Sequence, residues 1–167
     1  LYKENNTKNL KPATSLGSLK LKTENYVKNN LKNWHIIRLS AVLDDLRLSK
    51  FVIESIKKKK ELKLYTNIYF TPVLSIDLFS LIFSILNSAH NNNILHCSGL
   101  KRINKYDFYT NLLGKNFLLK KQKAKINKFH PSDLSLSNKI TCKVLNFKFT
   151  NFKRSIHITK KYTYKKK

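Results

Sequence analysis

The side chains with the greatest capacity for chemistry in this chain are its cations. The 167 residues include 34 Lys and Arg against 9 Asp and Glu, which gives a formal net charge of +25. Like charges at this density repel one another in a compact state unless an anionic partner neutralises them. Tyr and Phe occur among the basic residues, and aromatic rings can stack on unpaired bases. The composition therefore predicts a nucleic acid partner.

The basic residues are concentrated in the second half of the chain, where 101–167 hold 19 basic and 2 acidic side chains against 15 and 7 before that point. Apolar and basic residues alternate between 117 and 129, which predicts a strand with Lys121, Lys123 and Lys125 on one face. Such a row can follow a phosphate backbone, or it can be an ordinary solvated face. The residues predicted to bind RNA are Lys101, Arg102, Lys120, Lys121, Lys123, Lys125, Lys128, Lys143, Lys153, Arg154, Lys160, Lys161, Tyr162 and Tyr164.

Few other side chains have a spacing that suits catalysis. His96 and Cys97 are adjacent on a predicted strand and therefore point to opposite faces, so they cannot form a base and nucleophile pair. The histidines lack Cys or acidic partners at the spacing of zinc ligands. Cys97 and Cys142 are predicted to be small buried thiols in a reducing compartment. We expect no catalytic residue, no metal and no cofactor, and the chain is not predicted to be an enzyme.

Two helices are predicted in the middle of the chain. The first begins at Asp44 and Asp45, where carboxylates favour the positive end of the helix dipole. The second begins at Thr71 and Pro72, a typical N-cap and first-turn pair, and includes Asp77 in a structural role near its start. Its apolar run is too short to cross a bilayer, so we expect a buried helix and no association with a membrane.

Strands are predicted after the second helix. A short apolar run from Ile94 to Ser98 suits a buried strand, 117–129 alternates, and a third run begins at Ile140 after a turn at His130. This order predicts an α+β fold, with two helices packed on a mostly antiparallel sheet. The domain is expected at 34–149, between an N-terminal extension at 1–33 and a basic C-terminal tail at 150–167, which are extended tails and disordered when free of a partner.

The order of these elements resembles a known family over residues 45–149, the C-terminal domain of small-subunit ribosomal protein three in its bacterial and organellar form. The motifs that carry the resemblance are Asp45, Leu48 and Ile53 in the first helix, Ser98 and Gly99 at a strand end, the aromatic segment Tyr106 to Tyr109, then Leu119, Ala124 and Ile126, and finally Lys143-Val144-Leu145. The family's Arg after Ser-Gly is Leu100 here.

The resemblance implies a structural constituent of the head of a mitochondrial small ribosomal subunit, near the entry of messenger RNA. Its partners would be small-subunit rRNA and neighbouring head proteins. The family also has a KH domain with a Gly-x-x-Gly loop, which the three glycines of this chain cannot form. A separate chain is therefore expected to supply the KH half.

Composition also bears on origin and on rival functions. Heavy use of Lys, Asn and Ile is typical of an AT-rich genome, so we expect an organelle-encoded protein of the mitochondrial matrix. The absence of Met predicts that Leu1 is not an ordinary translation start. The rival functions are an intron-encoded maturase or homing nuclease, for which only Asp44 and Asp45 offer paired carboxylates, and a different organelle-specific ribosomal protein.

Overall fold

The fold is taken from a computed structural model, which describes residues 2–4, 10, 12, 14–43, 54–55, 58–114, 118–125 and 132–164. The elements in chain order are α1 (Ser15–Asn30), β1 (His35–Leu39), β2 (Leu62–Tyr65), β3 (Tyr69–Phe70), α2 (Ser75–Leu86), β4 (Asn93–Cys97), β5 (Ile103–Asn104), α3 (Lys105–Leu113), β6 (Leu119–Gln122), α4 (Lys139–Val144) and α5 (Phe152–Tyr164).

The strands form three pairs among the described residues, and two of the pairs are parallel. β1 pairs with β4, with Arg38 opposite His96, and β2 pairs with β6, with Leu62 opposite Leu119. Of the strands in the described residues, only β3 and β5 pair antiparallel. The predicted mixture of helices and strands is confirmed, but the mostly antiparallel sheet is wrong. Parallel neighbours require a crossover connection, and α2 lies between β1 and β4 in the chain.

Two clusters of buried side chains form the core. The first lies around Phe108, whose ring meets Phe70 and Tyr109 edge to face at centroid distances of 5.5 and 5.2 Å. The second joins α2 to β4 and includes Leu81 and Leu95. Because β5 and α3 are joined directly, the first cluster fixes the loop that precedes them.

Helices lie within both segments where extended tails were expected, α1 at Ser15–Asn30 and α5 at Phe152–Tyr164. The α1 helix begins at a Thr14 cap, whose Oγ1 accepts from Gly17 N at 3.0 Å, and Glu24 of α1 binds Arg38 of β1 through two contacts of 2.9 and 2.8 Å. In α5, Ile156 is buried in the first cluster. The expected extended conformation is therefore wrong for Ser15–Asn30 and Phe152–Tyr164, whereas the domain boundaries at 33 and 149 stay predictions.

The α5 helix was not predicted from the sequence, because its buried side includes small polar residues. Ser155 and Thr159 are buried, and their hydroxyls donate to the carbonyls of Asn151 and Ser155 at 3.1 and 2.8 Å. A hydroxyl satisfied by its own helix can enter a core at little cost. The many lysines around it concealed this narrow stripe.

The remaining elements divide between confirmed and corrected predictions. The second predicted helix is confirmed as α2, but its predicted start is wrong: α2 begins at Ser75, and the Thr71 hydroxyl bonds to Ser40 Oγ and Leu136 N instead of capping a helix. The predicted buried strand is confirmed as β4. The strand expected from Ile140 is instead the helix α4, and β6 is limited to four residues. The helix expected at Asp44 falls mostly outside the described residues. Within the described part of the chain, every helix is too short or too polar to span a lipid bilayer.

Candidate functional site

A surface cleft of about 290 Å³ lies where β3, β5 and α3 meet. It opens between the end of one short strand and the first two turns of α3. Its walls combine cationic, amide, carboxylate and aromatic groups. The lining residues are Tyr69, Lys101, Arg102, Ile103, Asn104, Asp107, Thr110 and Asn111.

The position of the basic loop in this cleft depends on Gly99. A Cβ atom at this position would lie 1.9 Å from the carbonyl oxygen of Pro72, and Gly99 N donates to Thr71 O at 3.1 Å. The two backbones therefore approach more closely than any side chain permits. The residue before Gly99 is also held, because Asn138 Nδ2 donates to Ser98 O at 2.6 Å. The loop that continues to Lys101 and Arg102 is thus held between two fixed segments.

Arg102 is the most constrained cation in the cleft. Its guanidinium carbon lies 3.7 Å from the centre of the Tyr69 ring, and its Nε and Nη2 donate to Asp133 Oδ2 at 3.1 and 3.0 Å. Stacking and ion pairing together fix the plane of the guanidinium. Two of its five N–H donors are used in this pair, which leaves donors for a second acceptor.

Asp133 is held ionised as the partner of Arg102. Burial acts to raise the pKa of this carboxyl, but hydrogen bonds from the Ser135 hydroxyl and backbone N–H and from Arg102 outweigh it. The net result is a pKa below the usual value for Asp. The pair therefore stays charged at neutral pH, and Arg102 keeps its orientation.

Two lysines border the same site. Lys101 Nζ lies 4.7 Å from the centre of the Phe152 ring, and Lys105 Nζ lies 5.2 Å from the centre of the Phe70 ring. Burial lowers the pKa of Lys105. Aromatic faces attract both ammonium groups, so the positive charge is localised beside the cleft.

The opposite wall of the cleft is polar and comes from the start of α3. Asn104 caps the helix by accepting from Asp107 N at 2.8 Å and donating to Asp107 Oδ2 at 2.7 Å. Asn111 Nδ2 donates to Asp107 O at 2.7 Å, and the Thr110 hydroxyl donates to Tyr106 O. Amide and carboxylate oxygens fixed in this way can accept from hydroxyl groups of a ligand. The cleft as a whole suits a ligand with both anionic and hydroxyl groups.

A second cluster of hydrogen-bonded polar residues lies in the interior, between β4 and α4. His96 N donates to Thr141 Oγ1 at 2.8 Å, and Thr141 donates through its backbone N and its hydroxyl to Glu4 Oε1 at 2.9 and 3.0 Å. His96 Nδ1 lies 2.8 Å from Ser137 O and must carry the proton, since a carbonyl only accepts. Burial is the main cause that lowers the pKa of His96. These contacts hold α4 and residues 2–4 in place.

Cys97 is a buried member of the second core cluster. Burial raises its pKa to about 12, so the thiol is protonated at neutral pH. The described residues contain no group of three or more His, Cys, Asp or Glu side chains able to hold a metal ion.

The predicted RNA-binding residues do not converge on one place. Lys101 and Arg102 line the cleft, and Lys121 Nζ lies 5.2 Å from the ring of Tyr106. Lys120 pairs with Glu61 at 2.6 Å. Lys123 and Lys125 are exposed beyond the end of β6, Lys143 is exposed on α4, and Lys153, Arg154, Lys160, Lys161, Tyr162 and Tyr164 belong to α5. Lys128 lies outside the described residues.

The sequence reading missed the polar half of the cleft. Tyr69, Asn104 and Asp107 were not predicted to bind a ligand, because that prediction rested on positive charge. A signal was available in Asn104 and Asp107, whose spacing of three residues is typical of a helix cap. It could have located the start of α3, although not the cleft.

Comparison with protein families shows which family this chain belongs to. The family model described as RmlD substrate binding domain matches residues 2–139 of the chain. The chain belongs to this family. No curated protein sequence matches the chain significantly.

Solved structures agree with the RmlD assignment at the level of the fold. A dTDP-4-dehydrorhamnose reductase ortholog from Clostridium acetobutylicum is 22% identical, with a TM-score of 0.81 over 96% of this chain and 57% of that chain. The dTDP-4-dehydrorhamnose reductase of Bacillus anthracis, solved with NADP, is 16% identical with a TM-score of 0.77 over 99% and 59%. The dTDP-glucose 4,6-dehydratase of the same organism, solved with NAD, is 15% identical with a TM-score of 0.79 over 97% and 55%. The chain thus spans between 55% and 59% of the length of these structures.

The RmlD assignment corrects the ribosomal interpretation. The resemblance to small-subunit ribosomal protein three is wrong, and so is the predicted structural role near messenger RNA entry. The predicted partners, rRNA, head proteins and a chain with the KH half, are wrong for the same reason, and the maturase and nuclease alternatives find no support. The prediction that the chain is not an enzyme is contradicted, because the matching family model describes a substrate binding domain and reductases are among the solved structures that share the fold. Each quoted motif contained only two to four residues, and a positive net charge predicts an anionic ligand without identifying it.

The nucleotide cofactors in the solved structures raise the question of a dinucleotide site in this chain. The Rossmann fingerprint places three glycines within six residues at a strand-to-helix turn. The chain has three glycines in all, Gly17, Gly99 and Gly114, and they are far apart. Gly17 lies in the first turn of α1, where a Cβ would meet Pro12 and Thr14 rather than open space. These residues do not fit the pyrophosphate cradle of that fingerprint.

Proposed function

We propose that this chain binds the nucleotide-linked sugar in a reductase or dehydratase of the RmlD type. The observation that carries the proposal is the oriented Arg102 in a mixed polar cleft, within a chain that belongs to a substrate binding domain family. The solved relatives include a reductase and a dehydratase that are named for dTDP-linked sugars.

The chemistry of the cleft matches such a ligand in two parts. A diphosphate needs localised cations, and Arg102 with Lys101 supplies them on one wall. A guanidinium of fixed plane favours phosphate oxygens through paired N–H donors. Sugar hydroxyls need acceptors and donors at fixed positions, and Asp107 and Asn111 supply these on the other wall. The volume of about 290 Å³ is at the lower end for small-molecule sites and suits a part of the ligand.

The dinucleotide is not assigned to these residues, because the fingerprint glycines are missing from the chain. The role proposed for this chain is therefore binding and orientation of the sugar substrate. The mitochondrial location stays a proposal that rests on composition alone.

Calorimetric titration of the purified chain tests the proposal. We expect dTDP-glucose to bind and Arg102→Ala to weaken it about tenfold or more, because a charge-assisted hydrogen bond to phosphate is lost. Asn111→Ala, which leaves the ion pair to Asp133 intact, should also weaken it. NADPH should give no measurable heat of binding.

Arg154→Ala is the matched control, since Arg154 is an exposed arginine on α5 outside the cleft. It removes the same charge and should leave the affinity unchanged. Circular dichroism of each variant verifies the fold. Failure of dTDP-glucose to bind, or equal loss in the Arg102 and Arg154 variants, would contradict the proposal.

A further inference from the structure

One short segment of the chain supplies the carboxylate that orients Arg102. Asp133 belongs to residues 132–138, which we call the linking segment. Its Oδ1 accepts from Ser135 N at 2.9 Å and from the Ser135 hydroxyl, and its Oδ2 accepts from Arg102. Each carboxylate oxygen therefore has its own partner, and the position of Ser135 determines where Asp133 presents Oδ2 to the guanidinium.

The linking segment also holds the residue on which Arg102 stacks. Tyr69 N donates to Ser132 O at 2.9 Å, and Leu134 N donates to Tyr69 O at 2.8 Å. These two bonds form a parallel bridge between Tyr69 and Asp133, which fixes the backbone that carries the ring. Both groups that set the plane of the Arg102 guanidinium thus depend on the linking segment.

Buried hydroxyl groups anchor the middle of the linking segment in the interior. Leu136 N donates to Thr71 Oγ1, and Ser98 Oγ donates to Leu136 O, both at 3.0 Å. Thr71 directly follows β3 and Ser98 directly follows β4. Both residues are buried, so water does not compete for these bonds and a shift of the segment would leave buried polar groups unpaired.

Residues 2–4 bind to the linking segment from elsewhere in the chain. Tyr2 N donates to Ser135 O at 3.0 Å, and Ser137 N donates to Tyr2 O at 2.8 Å. Tyr2 is 52% exposed, so its backbone rather than its ring makes this contact. Ser135, which orients Asp133, is therefore bonded directly to Tyr2.

Glu4 holds residues 2–4 in the interior. It is 3% exposed, and its Oε1 accepts from Thr141 N and Oγ1 at 2.9 and 3.0 Å. Because the Thr141 hydroxyl donates to Glu4, its lone pairs accept from His96 N, and His96 Nδ1 in turn donates to Ser137 O. Glu4 thus reaches the linking segment by two routes, along residues 2–4 and through Thr141 and His96.

We propose that Glu4 is a positioning residue for the nucleotide-sugar site and acts on Arg102 through the linking segment. Neither Glu4 nor Tyr2 lines the cleft, so their effect on a ligand passes through the residues between. A guanidinium already held in its binding orientation loses less entropy when a phosphate group binds. The consequence for affinity rests on the proposed function, whereas the consequence for the orientation of Arg102 does not.

Exchange of the Arg102 Nε proton with water tests the positioning directly, because this proton is hydrogen-bonded to Asp133. It can be followed by nuclear magnetic resonance with isotopically labelled arginine, and Arg102→Lys identifies the signal. We expect Glu4→Ala to accelerate the exchange about tenfold or more, because restraint equal to about one hydrogen bond is lost. Glu4→Gln keeps an acceptor oxygen and should accelerate it less.

Glu61→Ala is the matched control, since it removes a carboxylate that is paired with Lys120 outside the cleft. It should leave the exchange unchanged. Tyr2→Pro removes the N–H that donates to Ser135 O and leaves the interior side chains in place. It should also accelerate the exchange, and it tests the same link if Glu4→Ala does not fold.

Affinity for dTDP-glucose gives a second, independent measurement. Glu4→Ala should weaken binding about threefold or more, but it should cause no further loss in the Arg102→Ala background, because the two residues act through one group. Unchanged exchange in folded Glu4→Ala or in Tyr2→Pro, equal acceleration in Glu61→Ala, or additive losses of affinity would each overturn the proposal. A wild type that does not bind dTDP-glucose would contradict the proposed function, and the exchange measurement would still decide this inference.

Discussion

Arg102 shows how a cation becomes a ligand-binding group. Most of the lysines that the structure describes are exposed. Arg102, in contrast, is stacked on Tyr69 and paired with Asp133. A preorganised group loses less entropy when a ligand binds. Positive charge alone would have selected many other positions, and contact geometry distinguishes this one.

Gly99 should be the least replaceable small residue near the cleft. In Gly99→Ala the new Cβ would overlap the Pro72 carbonyl oxygen, which a backbone atom can avoid only by moving a segment. We expect a loss of about 1–3 kcal/mol in the free energy of unfolding, measured by urea titration. Leu100→Ala, at an exposed neighbour, should change it by about 0.5 kcal/mol or less. Equal stability of the wild type and Gly99→Ala would contradict the close approach.

At the scale of elements, an ion pair between Glu24 and Arg38 joins α1 to β1. A hydrogen bond from Arg38 is the main cause that lowers the pKa of Glu24 below 4.5, against an opposing effect of burial. A carboxyl with a lowered folded-state pKa stabilises the fold above its unfolded-state pKa and loses that contribution as the pH falls through the folded-state value. The pair should therefore stabilise the protein at neutral pH and fail in acid.

Chemical unfolding of the wild type and of Glu24→Gln, from neutral pH to below pH 4.5, tests the role of this ion pair. We expect the wild type to be more stable by about 1 kcal/mol at neutral pH, and the difference to shrink steadily below pH 4.5. Lys22→Gln, on the exposed side of α1, should show no such dependence. A difference that stays constant with pH would contradict the role of the pair.

Elements with a strong local signal were predicted, and elements fixed by distant contacts were not. α2 has a clear helical period and β4 a short apolar run, and both were found. Residues 139–144 alternate like a strand but form α4, where Thr141 bonds to His96 and Glu4. Parallel pairing of β1 with β4 joins residues 58 positions apart, as in Ile36 and Ile94, and no local pattern reports it.

The candidate site was likewise predicted only in part from the sequence. Lys101 and Arg102 could be selected as cations, since charge is visible in a sequence. The stacking on Tyr69 and the ion pair to Asp133 arise from segments more than 30 residues away in the chain. The identity of the ligand could not follow from charge, because nucleic acids, nucleotide sugars and lipid surfaces are all anionic.

At the scale of the whole molecule, the net charge of +25 destabilises the folded state through repulsion, and added salt should reduce that repulsion. Ion pairs between described residues are few, among them Arg38 with Glu24, Arg102 with Asp133 and Lys120 with Glu61. Screening should reduce repulsion more than it weakens these pairs. We expect the melting temperature to rise with NaCl up to physiological ionic strength and to respond equally to KCl. A steady fall over that range would contradict a net repulsive charge distribution.

The central claim is that a nucleotide-linked sugar occupies the cleft beside Arg102, and a crystal structure of this chain with dTDP-glucose tests it most directly. The account predicts diphosphate oxygens within hydrogen-bond distance of the Arg102 guanidinium, and sugar hydroxyls against Asp107 or Asn111. A ligand bound elsewhere on the protein, or an empty cleft at saturating dTDP-glucose, would contradict it.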